Sequence, residues 1–459
     1  MADAFDLVVL GGGTGGYSAA LRASELGLTV ALIERAKVGG TCLHHGCIPT
    51  KALLHAAEVY DTARDASRFG ITVGDVSFDW PGVQSFKEGV VSKMYKGLEG
   101  LLKHRKVEVV TASGSLRSPT TVAVEGRGEI SAGKVVIATG SKPKLIPGLE
   151  VGERIITSNE ALRIDRVPKS AIVLGAGSVG VEFASVWASF GAEVTVVEML
   201  PGVVPLEDAD LGKELARAFG KRKIRTLTGA KLEDAQAGEK SVTATVTTNG
   251  KSETLEAELL LVAVGRGPVT EGAGLDAAGI ATDRGFVTVT GSCETSVPGV
   301  YAVGDVIPTA ALAHVSFAEG MVAAEHAAGR RPAPIDYDAI PRCTYSVPEV
   351  AAVGLTESQA RERGHEVVTA KVNLAAIGKA AILGETGGFC KIVAAKDGPI
   401  LGVHFVGARV TELVAEAMLA VGWEALPTEV AALIHPHPTL TESFGEAALT
   451  MAGRALHTG

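Results

Sequence analysis

Residues 7–35, LVVLGGGTGGYSAALRASELGLTVALIER, and residues 171–199, AIVLGAGSVGVEFASVWASFGAEVTVVEM, are two copies of one sequence pattern. Each copy opens with an apolar run that is typical of a buried strand. Each then passes through GxGxxG into helically spaced apolar residues and returns to an apolar strand that ends in a glutamate. Because the whole strand–helix–strand unit repeats, the chain is predicted to have two dinucleotide-binding sites. The glycines are Gly11, Gly13 and Gly16 in the first copy and Gly175, Gly177 and Gly180 in the second.

The glycine spacing fits the shape of a dinucleotide. The first glycine allows the tight turn from strand to helix, the second lets the backbone approach a pyrophosphate, and the third lets the helix pack closely on the strand. The pyrophosphate then lies at the helix N-terminus, where free N–H groups attract an anion. Glu34 and Glu198 end the second strand of each copy and are expected to accept hydrogen bonds from ribose hydroxyls. No arginine directly follows Glu198, so the second site is predicted to take NAD, while the first could hold FAD or NAD.

The length and composition of the chain limit the classes of protein to which it can belong. A length of 459 residues with 46% hydrophobic residues allows a large core in about two to four domains. The net charge of -9 argues against a nucleic-acid-binding protein. The amino-terminal residues do not resemble a secretory signal, and no apolar run approaches the roughly 18 residues that span a bilayer. We therefore expect a cytoplasmic protein, in which a close cysteine pair is more often catalytic or metal-binding than structural.

Such a pair, Cys42 and Cys47, lies in GGTCLHHGCIPTK at residues 39–51. It could be part of a zinc site, but the chain has no second cysteine pair. It could be a structural disulfide, but closing so short a loop stabilises little. A redox-active pair beside a flavin is the interpretation that we favour. A helix is expected to follow, with Pro49 in its first turn, and a cysteine at its N-terminus near Lys51 is expected to have a lowered pKa.

Several further segments extend the pattern over the whole chain, which resembles the pyridine nucleotide–disulfide oxidoreductases. The resemblance implies an α/β fold with two Rossmann-like dinucleotide-binding domains, for FAD and NAD, and a C-terminal α+β dimerisation domain. The implied boundaries are 1–145 and 271–340 for the FAD domain, 146–270 for the NAD domain and 341–459 for the dimerisation domain. The segments that carry the resemblance are GGTCLHHGCIPTK (39–51), VVIATGS (135–141), LLVAVGRGP (260–268), GVYAVGDV (299–306), IPRCTYSVPEVAAVG (340–354) and IHPHPTLTES (434–443).

The resemblance implies catalytic roles for individual residues. Cys42 corresponds to the thiol that exchanges with substrate, and Cys47 to the thiolate that lies against the flavin. His437 corresponds to the catalytic base, oriented by Glu442 and serving the cysteine pair of the other subunit. Two prolines keep His437 out of a helix, and histidine titrates nearest to neutral pH, which suits a base that must deprotonate a thiol. The implied ion pair near the reactive flavin nitrogen is formed by Lys51 and Glu182.

Cofactor-binding residues follow from the same resemblance. No metal site is expected. His44 and His45 stand between the cysteines where the family usually has smaller or neutral residues, and His45 could shift the pKa of the thiolate. The residues implied to bind FAD are Gly11, Gly13, Gly16, Glu34, Thr41, Lys51, Gly114, Thr139, Gly140, Asp305, Ala313 and His314. The residues implied to bind NAD are Gly175, Gly177, Gly180, Glu182, Glu198 and Gly265.

The implied activity is the oxidation of protein-bound dihydrolipoamide to lipoamide, with electrons passing through the Cys42–Cys47 disulfide and FAD to NAD⁺. The implied partners are a second copy of the chain, in a homodimer with a shared active site, and the lipoyl carrier domains of 2-oxoacid dehydrogenase or glycine cleavage complexes. No nucleic-acid or membrane partner is expected. One alternative is an NAD(P)H-dependent reductase of another disulfide, of the glutathione or mycothione type. An interaction subunit without activity is disfavoured, because every motif residue is present.

Overall fold

The first repeat forms the centre of a seven-stranded sheet in the computed structural model, which describes residues 4–457. The strands are β1 (Ala4–Leu10), β2 (Val30–Glu34), β3 (Glu108–Thr111), β4 (Gly114–Ser118), β5 (Thr121–Val124), β6 (Gly128–Ile137) and β19 (Val300–Ala302). Their order is β3-β2-β1-β6-β5-β4, and β19 also pairs with β6. The β3-β2-β1-β6 pairings and the β19-β6 pairing are parallel, whereas β4, β5 and β6 pair antiparallel. Parallel strands are buried on both faces, which explains why Leu7 to Leu10 are continuously apolar.

The second repeat forms part of a five-stranded parallel sheet with the order β11-β10-β9-β15-β8. An antiparallel three-stranded sheet lies between β11 and β15 in the chain and shares a hydrophobic core with this sheet. The parallel strands are β8 (Ile155–Thr157), β9 (Ser170–Leu174), β10 (Glu193–Val197), β11 (Arg225–Leu227) and β15 (Leu259–Val262). The antiparallel strands are β12 (Ala230–Ala237), β13 (Val242–Thr248) and β14 (Lys251–Ala257).

The C-terminal part of the chain forms an antiparallel sheet with the order β20-β21-β24-β23-β22. Its helices pack against the sheet around one apolar cluster that includes Phe405, Val414 and Phe444. The strands are β20 (Arg342–Thr344), β21 (Glu349–Gly354), β22 (Val367–Asn373), β23 (Phe389–Ala395) and β24 (Ile400–Gly407). Two short ribbons complete the strands: β7 (Ser141–Pro143) with β16 (Arg266–Pro268), and β17 (Thr282–Asp283) with β18 (Phe286–Val287).

The helices connect these sheets. They are α1 (Thr14–Glu25), α2 (Gly40–His44), α3 (Cys47–Arg64), α4 (Trp80–His104), α5 (Ser158–Ala161), α6 (Ser178–Ser189), α7 (Ala209–Lys221), α8 (Ala313–Ala327), α9 (Glu357–Glu362), α10 (Gly378–Leu383), α11 (Val410–Gly422), α12 (Pro427–Val430) and α13 (Glu442–Met451). None of the described helices is long and apolar enough to cross a membrane.

The predicted fold class is confirmed: a mixed sheet with a parallel core and a parallel sheet each contain a glycine-rich repeat, and an α+β domain follows them. Contacts divide the described residues into two compact units. One contains residues 4–52, 81–144 and 265–335, and the other contains residues 53–80, 145–264 and 336–457. The four domain boundaries inferred from the sequence stay predictions.

Candidate active site

The two glycine-rich turns have the same backbone geometry. Gly11 and Gly175 have φ angles of 103° and 102°, which a residue with a side chain rarely adopts. A Cβ atom on Gly16 would overlap the carbonyl oxygen of Gly11, and the same is true of Gly180 and Gly175. The third glycine of each repeat therefore allows the helix to lie directly against the turn, as the spacing predicts.

The middle glycines face open space. Gly13 and Gly177 are the N-cap residues of α1 and α6, and neither caps its helix through a side chain. A Cβ atom built on either residue would meet no atom within 4 Å. Each helix N-terminus can therefore receive a pyrophosphate on its unpaired N–H groups, so the donor set at both turns fits a dinucleotide.

The glutamates at the strand ends hold their surroundings in the same way in both repeats. One carboxylate oxygen accepts a hydrogen bond from an N–H of the glycine-rich turn, and the other accepts one from the N–H two residues after the glutamate. The distances for Glu34 are 2.7 Å from Gly12 and 2.9 Å from Ala36, and those for Glu198 are 2.7 Å from Ala176 and 2.8 Å from Leu200. Both carboxylates are thus fixed at the strand end, where the ribose of a dinucleotide is expected.

A cavity of about 400 Å³ lies beside Glu34. Tyr95, Glu99 and Lys103 of α4 line it together with Val38. Its volume falls in the range of small-ligand sites, and its position next to the first repeat suits the adenosine end of a dinucleotide.

The cysteine pair spans the junction between two consecutive helices. Cys42 belongs to α2, and Cys47 is the first residue of α3, with Lys51 one turn further along. Both cysteines are thiols, and their side chains are hydrogen-bonded to each other. The hydrogen bond with Cys47 and burial raise the pKa of Cys42, and the nearby charge of Lys51 opposes them. For Cys42, burial and a sulfur neighbour outweigh the lysine. The lowered pKa expected for the cysteine at the start of the helix, which is Cys47, stays a prediction.

The two histidines between the cysteines pack against neighbouring residues and against each other. The Nε2 atom of His44 lies 2.9 Å from the carbonyl oxygen of Val38, and its ring packs edge-on against Tyr95 at 5.4 Å between centroids. His45 caps the C-terminus of α2, and its ring centroid lies 6.1 Å from that of His44. The pair of rings thus packs beside the loop that carries the thiols.

Arg266 is a candidate site residue that the sequence reasoning missed. Its guanidinium contacts Ser141 at 2.6 Å (Nε to Oγ) and 2.8 Å (to the carbonyl oxygen), and it reaches Thr41 at 3.5 Å. Ser141 donates a hydrogen bond of 2.5 Å to Asp305. Burial lowers the pKa of Arg266, whereas electrostatic interactions with Asp305 and Cys47 oppose this effect. The signal for this residue was present in VGRGP, where Arg266 directly follows a predicted site glycine.

Other residues predicted to bind FAD also lie near the ends of the first sheet. Thr139 donates a hydrogen bond of 2.6 Å to the carbonyl oxygen of Val269, and Gly140 has a φ angle of 72°. Gly114 begins β4, where a Cβ atom would press on the side chains of Leu10 and Ile33. Close packing is therefore one physical reason for glycine at position 114, and its contact with a cofactor stays a prediction.

The remaining predicted nucleotide contacts lie at element ends. Ala313 and His314 are the first two residues of α8, so their N–H groups lie at a helix N-terminus. Gly265 lies three residues beyond the end of β15 with a φ angle of 105°, and its carbonyl oxygen accepts a hydrogen bond from Lys144. Backbone N–H groups at such positions can bind phosphate or ring carbonyl oxygens.

Glu182 is buried on α6, and its Oε1 atom accepts a hydrogen bond of 2.9 Å from the N–H of Tyr345. This partner comes from the segment after β20, far away in the sequence. The ion pair that we expect between Glu182 and Lys51 stays a prediction.

His437 and Glu442 form a pair at the start of α13. The Nδ1 atom of His437 lies 2.9 Å from Oε1 of Glu442, and the other oxygen of Glu442 accepts a hydrogen bond of 2.8 Å from the N–H of Thr439. Burial raises the pKa of Glu442, but the hydrogen bonds from Thr439 and His437 outweigh it and lower the pKa. The carboxylate therefore stays ionised and fixes the imidazole, which is 72% exposed.

The neighbouring His435 is different, because it is largely buried and pairs with Glu416 at 2.8 Å. The hydrogen bond with Glu416 raises the pKa of His435. This histidine therefore anchors the loop. Among residues 4–457, no cluster of three His, Cys, Asp or Glu side chains has the arrangement of a metal site.

Two dinucleotide turns, a thiol pair at the start of a helix and a histidine–glutamate pair together define a nucleotide-dependent disulfide oxidoreductase. Residues 5–320 match the family described as pyridine nucleotide-disulphide oxidoreductase, and residues 340–448 match the dimerisation domain of that family. The chain belongs to this family, and its cofactors are FAD and NAD.

Individual relatives extend this likeness over the whole chain. A dihydrolipoyl dehydrogenase of Bacillus subtilis is 45% identical, with 100% of each chain covered. A dihydrolipoyl dehydrogenase of Chlorobaculum tepidum is 43% identical over 98% of this chain and 97% of its own. Among solved structures, LpdA of Mycobacterium tuberculosis superposes with a TM-score of 0.89 at 27% identity, covering 98% of this chain and 100% of that one.

Proposed function

We propose that the chain functions as a dihydrolipoyl dehydrogenase. It oxidises protein-bound dihydrolipoamide to lipoamide and reduces NAD⁺ to NADH. The observation that carries this proposal is the likeness to curated enzymes of that name at 45% and 43% identity over nearly their whole length. The thiol pair and the histidine–glutamate pair supply the groups that this reaction requires.

The His437–Glu442 pair supplies the base. A dithiol must lose a proton before it can attack a disulfide, and His437 is exposed enough to receive that proton. Glu442, ionised and held by Thr439, keeps Nδ1 of His437 protonated, so that Nε2 is the basic atom, and it stabilises the imidazolium that forms.

The cysteine pair performs the exchange. The substrate thiolate attacks the sulfur of Cys42 in the oxidised pair, a mixed disulfide forms, and Cys47 leaves as a thiolate. The second substrate thiol then attacks the substrate sulfur of the mixed disulfide, its proton passes to the sulfur of Cys42 as lipoamide leaves, and His437 keeps the first proton. The raised pKa of Cys42 suits this role, because a poorly acidic thiol accepts a proton readily.

The first repeat, Asp305, Arg266 and the N-terminus of α8 would hold FAD, which when bound would supply the transfer of two electrons from the thiol pair to NAD⁺. Lys51 and Glu182 are proposed to act as an ion pair beside it. The second repeat, with Glu198, is proposed to bind NAD⁺ through its pyrophosphate and ribose.

The proposal includes two kinds of partner. The dimerisation domain supports a homodimer in which the His437–Glu442 pair of one subunit serves the cysteines of the other. The substrate is proposed to arrive on the lipoyl carrier domain of a 2-oxoacid dehydrogenase or glycine cleavage complex, in the cytoplasm.

Steady-state turnover of the FAD-loaded protein tests the function. We expect fast reduction of NAD⁺ with dihydrolipoamide, and much slower oxidation of NADH or NADPH with glutathione or mycothiol disulfide. Faster turnover of one of those disulfides than of lipoamide would refute the proposal and favour the alternative reductase. A colourless protein, or a flavin spectrum that does not respond to dihydrolipoamide, would refute both.

A further inference from the structure

The loop of residues 199–208 joins β10 to α7 and directly follows Glu198. Its first part is held by Glu198, which accepts a hydrogen bond from Leu200, and its middle by the N–H of Val204, which donates to the carbonyl oxygen of Ala176 at 2.8 Å. Ala176 lies in the glycine-rich turn of the second repeat, and its own N–H is bonded to Glu198. Hydrogen bonds therefore join the loop to the turn that receives the pyrophosphate.

Apolar packing fixes only the middle of this loop. Val203 and Val204 are buried, whereas Met199 is 69% exposed and Leu206 is 81% exposed. Val204 also has a φ angle of 43°, which is unfavourable for a β-branched residue. Further contacts at the end of the loop must hold it in this conformation.

One such contact is an ion pair between Glu207 and Arg342. Arg342 lies on β20 in the dimerisation domain, and its Nε atom is 3.1 and 3.2 Å from the two carboxylate oxygens of Glu207. Its NH2 group makes a further contact of 3.1 Å to Oε2. The carboxylate side chain is only 12% exposed, and a planar guanidinium that contacts both oxygens restricts its position strongly.

The second contact is a buried ion pair between Asp208 and Lys391 on β23. Asp208 is 3% exposed and Lys391 6% exposed, and the ammonium nitrogen lies 2.9 Å from Oδ1. Asp208 is the N-cap of α7 and accepts a hydrogen bond from Asp210, while its other oxygen accepts one from the N–H of Glu357. His404 pairs with Lys391 in the sheet, but burial lowers its pKa to about 4, so it is neutral at pH 7. The positive charge that faces Asp208 is therefore that of Lys391, which also pairs with Asp210 at 3.2 Å and with Glu357 at 2.9 Å.

We propose that Arg342 and Lys391 of the dimerisation domain are positioning residues for the NAD site. They hold the end of the loop of residues 199–208, and through Val204 and Ala176 they hold the turn that binds the pyrophosphate. This inference rests on the proposed function, because it assumes that the second repeat binds NAD⁺. Removing either cation leaves a buried carboxylate without its cationic partner. The loop can lower the resulting desolvation cost only by moving the carboxylate towards water.

The affinity for NAD⁺ provides the test. We expect Arg342→Met and Lys391→Met, as FAD-loaded enzymes, to raise the Kd for NAD⁺ about tenfold by calorimetric titration. The values of kcat and of KM for dihydrolipoamide should change by less than about twofold, because the loop contacts the nucleotide turn and not the thiols. A purely structural loss would instead lower the yield of folded enzyme without this split between Kd and kcat.

Three further variants make the result decisive. Glu207→Gln removes the ion pair without leaving an unpaired carboxylate, so it should stay folded and still raise the Kd for NAD⁺. Lys396→Met is the matched control, because Lys396 pairs with Glu366 at 2.6 Å on the surface, where the exposed fractions are 53% and 72%. Glu198→Ala must weaken NAD⁺ binding if the second repeat is the NAD site.

The outcomes distinguish a failure of the positioning role from a failure of the NAD-site assignment. If Glu198→Ala weakens NAD⁺ binding but Arg342→Met and Glu207→Gln leave the Kd unchanged, the positioning role is refuted and the NAD site stands. If Glu198→Ala has no effect on the Kd, the NAD site itself is wrong. An equal increase of the Kd in Lys396→Met would also overturn the positioning role, since a surface ion pair would then have the same effect.

Discussion

Replacing Glu442 by glutamine should nearly abolish dihydrolipoamide oxidation while leaving the fold intact. The N–H of Thr439 needs an acceptor, so the glutamine must turn its carbonyl oxygen towards Thr439. Its amide NH₂ group then faces Nδ1 of His437, 2.9 Å from the present carboxylate oxygen, and can only donate to it. The proton of the imidazole is thereby forced onto Nε2, the atom that must act as the base.

The magnitude follows from this tautomer and from the exposure of the pair. A base held in the wrong tautomer costs about 10⁴-fold in kcat in a comparable carboxylate-to-amide change. The side chain of His437 is 72% exposed, so the ion pair contributes only about 0.2–1 kcal/mol to the free energy of unfolding. The loss is therefore expected in kcat and not in the melting temperature.

The helix that begins with Glu442 offers a matched control one turn further on. Glu446 has the same arrangement, with His457 Nδ1 at 2.8 Å from one oxygen and the N–H of His457 at 3.2 Å from the other. We expect Glu446→Gln to retain most of the activity. The assay compares kcat, flavin content and thermal unfolding of both variants with dihydrolipoamide and NAD⁺ as substrates.

The reasoning would be refuted if Glu442→Gln kept more than about a tenth of the activity, since a mis-oriented base costs far more. Equal losses in Glu442→Gln and Glu446→Gln would also contradict it, because any histidine–glutamate pair on this helix would then be equivalent.

Three other perturbations have defined outcomes. Cys47→Ser should keep bound FAD but lose the lipoamide reaction, because Cys42 then has no sulfur partner; retained turnover with the flavin spectrum responding to dithiol would exclude the pair from the mechanism. Gly16→Ala should destabilise the protein by about 1–3 kcal/mol and reduce its flavin content, because the added methyl group overlaps the carbonyl oxygen of Gly11; a normal melting temperature and absorbance at saturating FAD would contradict the close packing. Burial raises the pKa of Glu349, so the carboxyl favours the folded state when protonated, and this contribution is lost as the pH rises through the folded-state pKa. Glu349→Gln mimics the protonated form and should raise the melting temperature at pH 7, with a gain that shrinks as the pH is lowered towards the ordinary value of 4.5; a gain that does not depend on pH would refute the assignment.

Much of the site could be predicted because its signals are local in the sequence. The two GxGxxG repeats, the cysteine pair with Lys51 one turn later, and His437 with Glu442 five residues on each lie within about thirty residues. Periodicity and spacing describe such neighbours directly, since helix and strand geometry fix which of them meet. The direction of the pKa shift of Cys42 was not predictable, because burial and contact with Cys47 depend on packing around the thiol.

The sequence alone determined the two glycine-rich turns, the glutamates that end their strands and the close cysteine pair, because each depends on a few neighbouring residues. Only the tertiary structure decided which distant charges meet. Arg266 reaches Ser141 over 125 positions, Arg342 reaches Glu207 over 135, and Lys391 reaches Asp208 over 183. Such pairs follow from the order of strands in the sheets and from which helix ends are buried against them, and no local pattern encodes that arrangement.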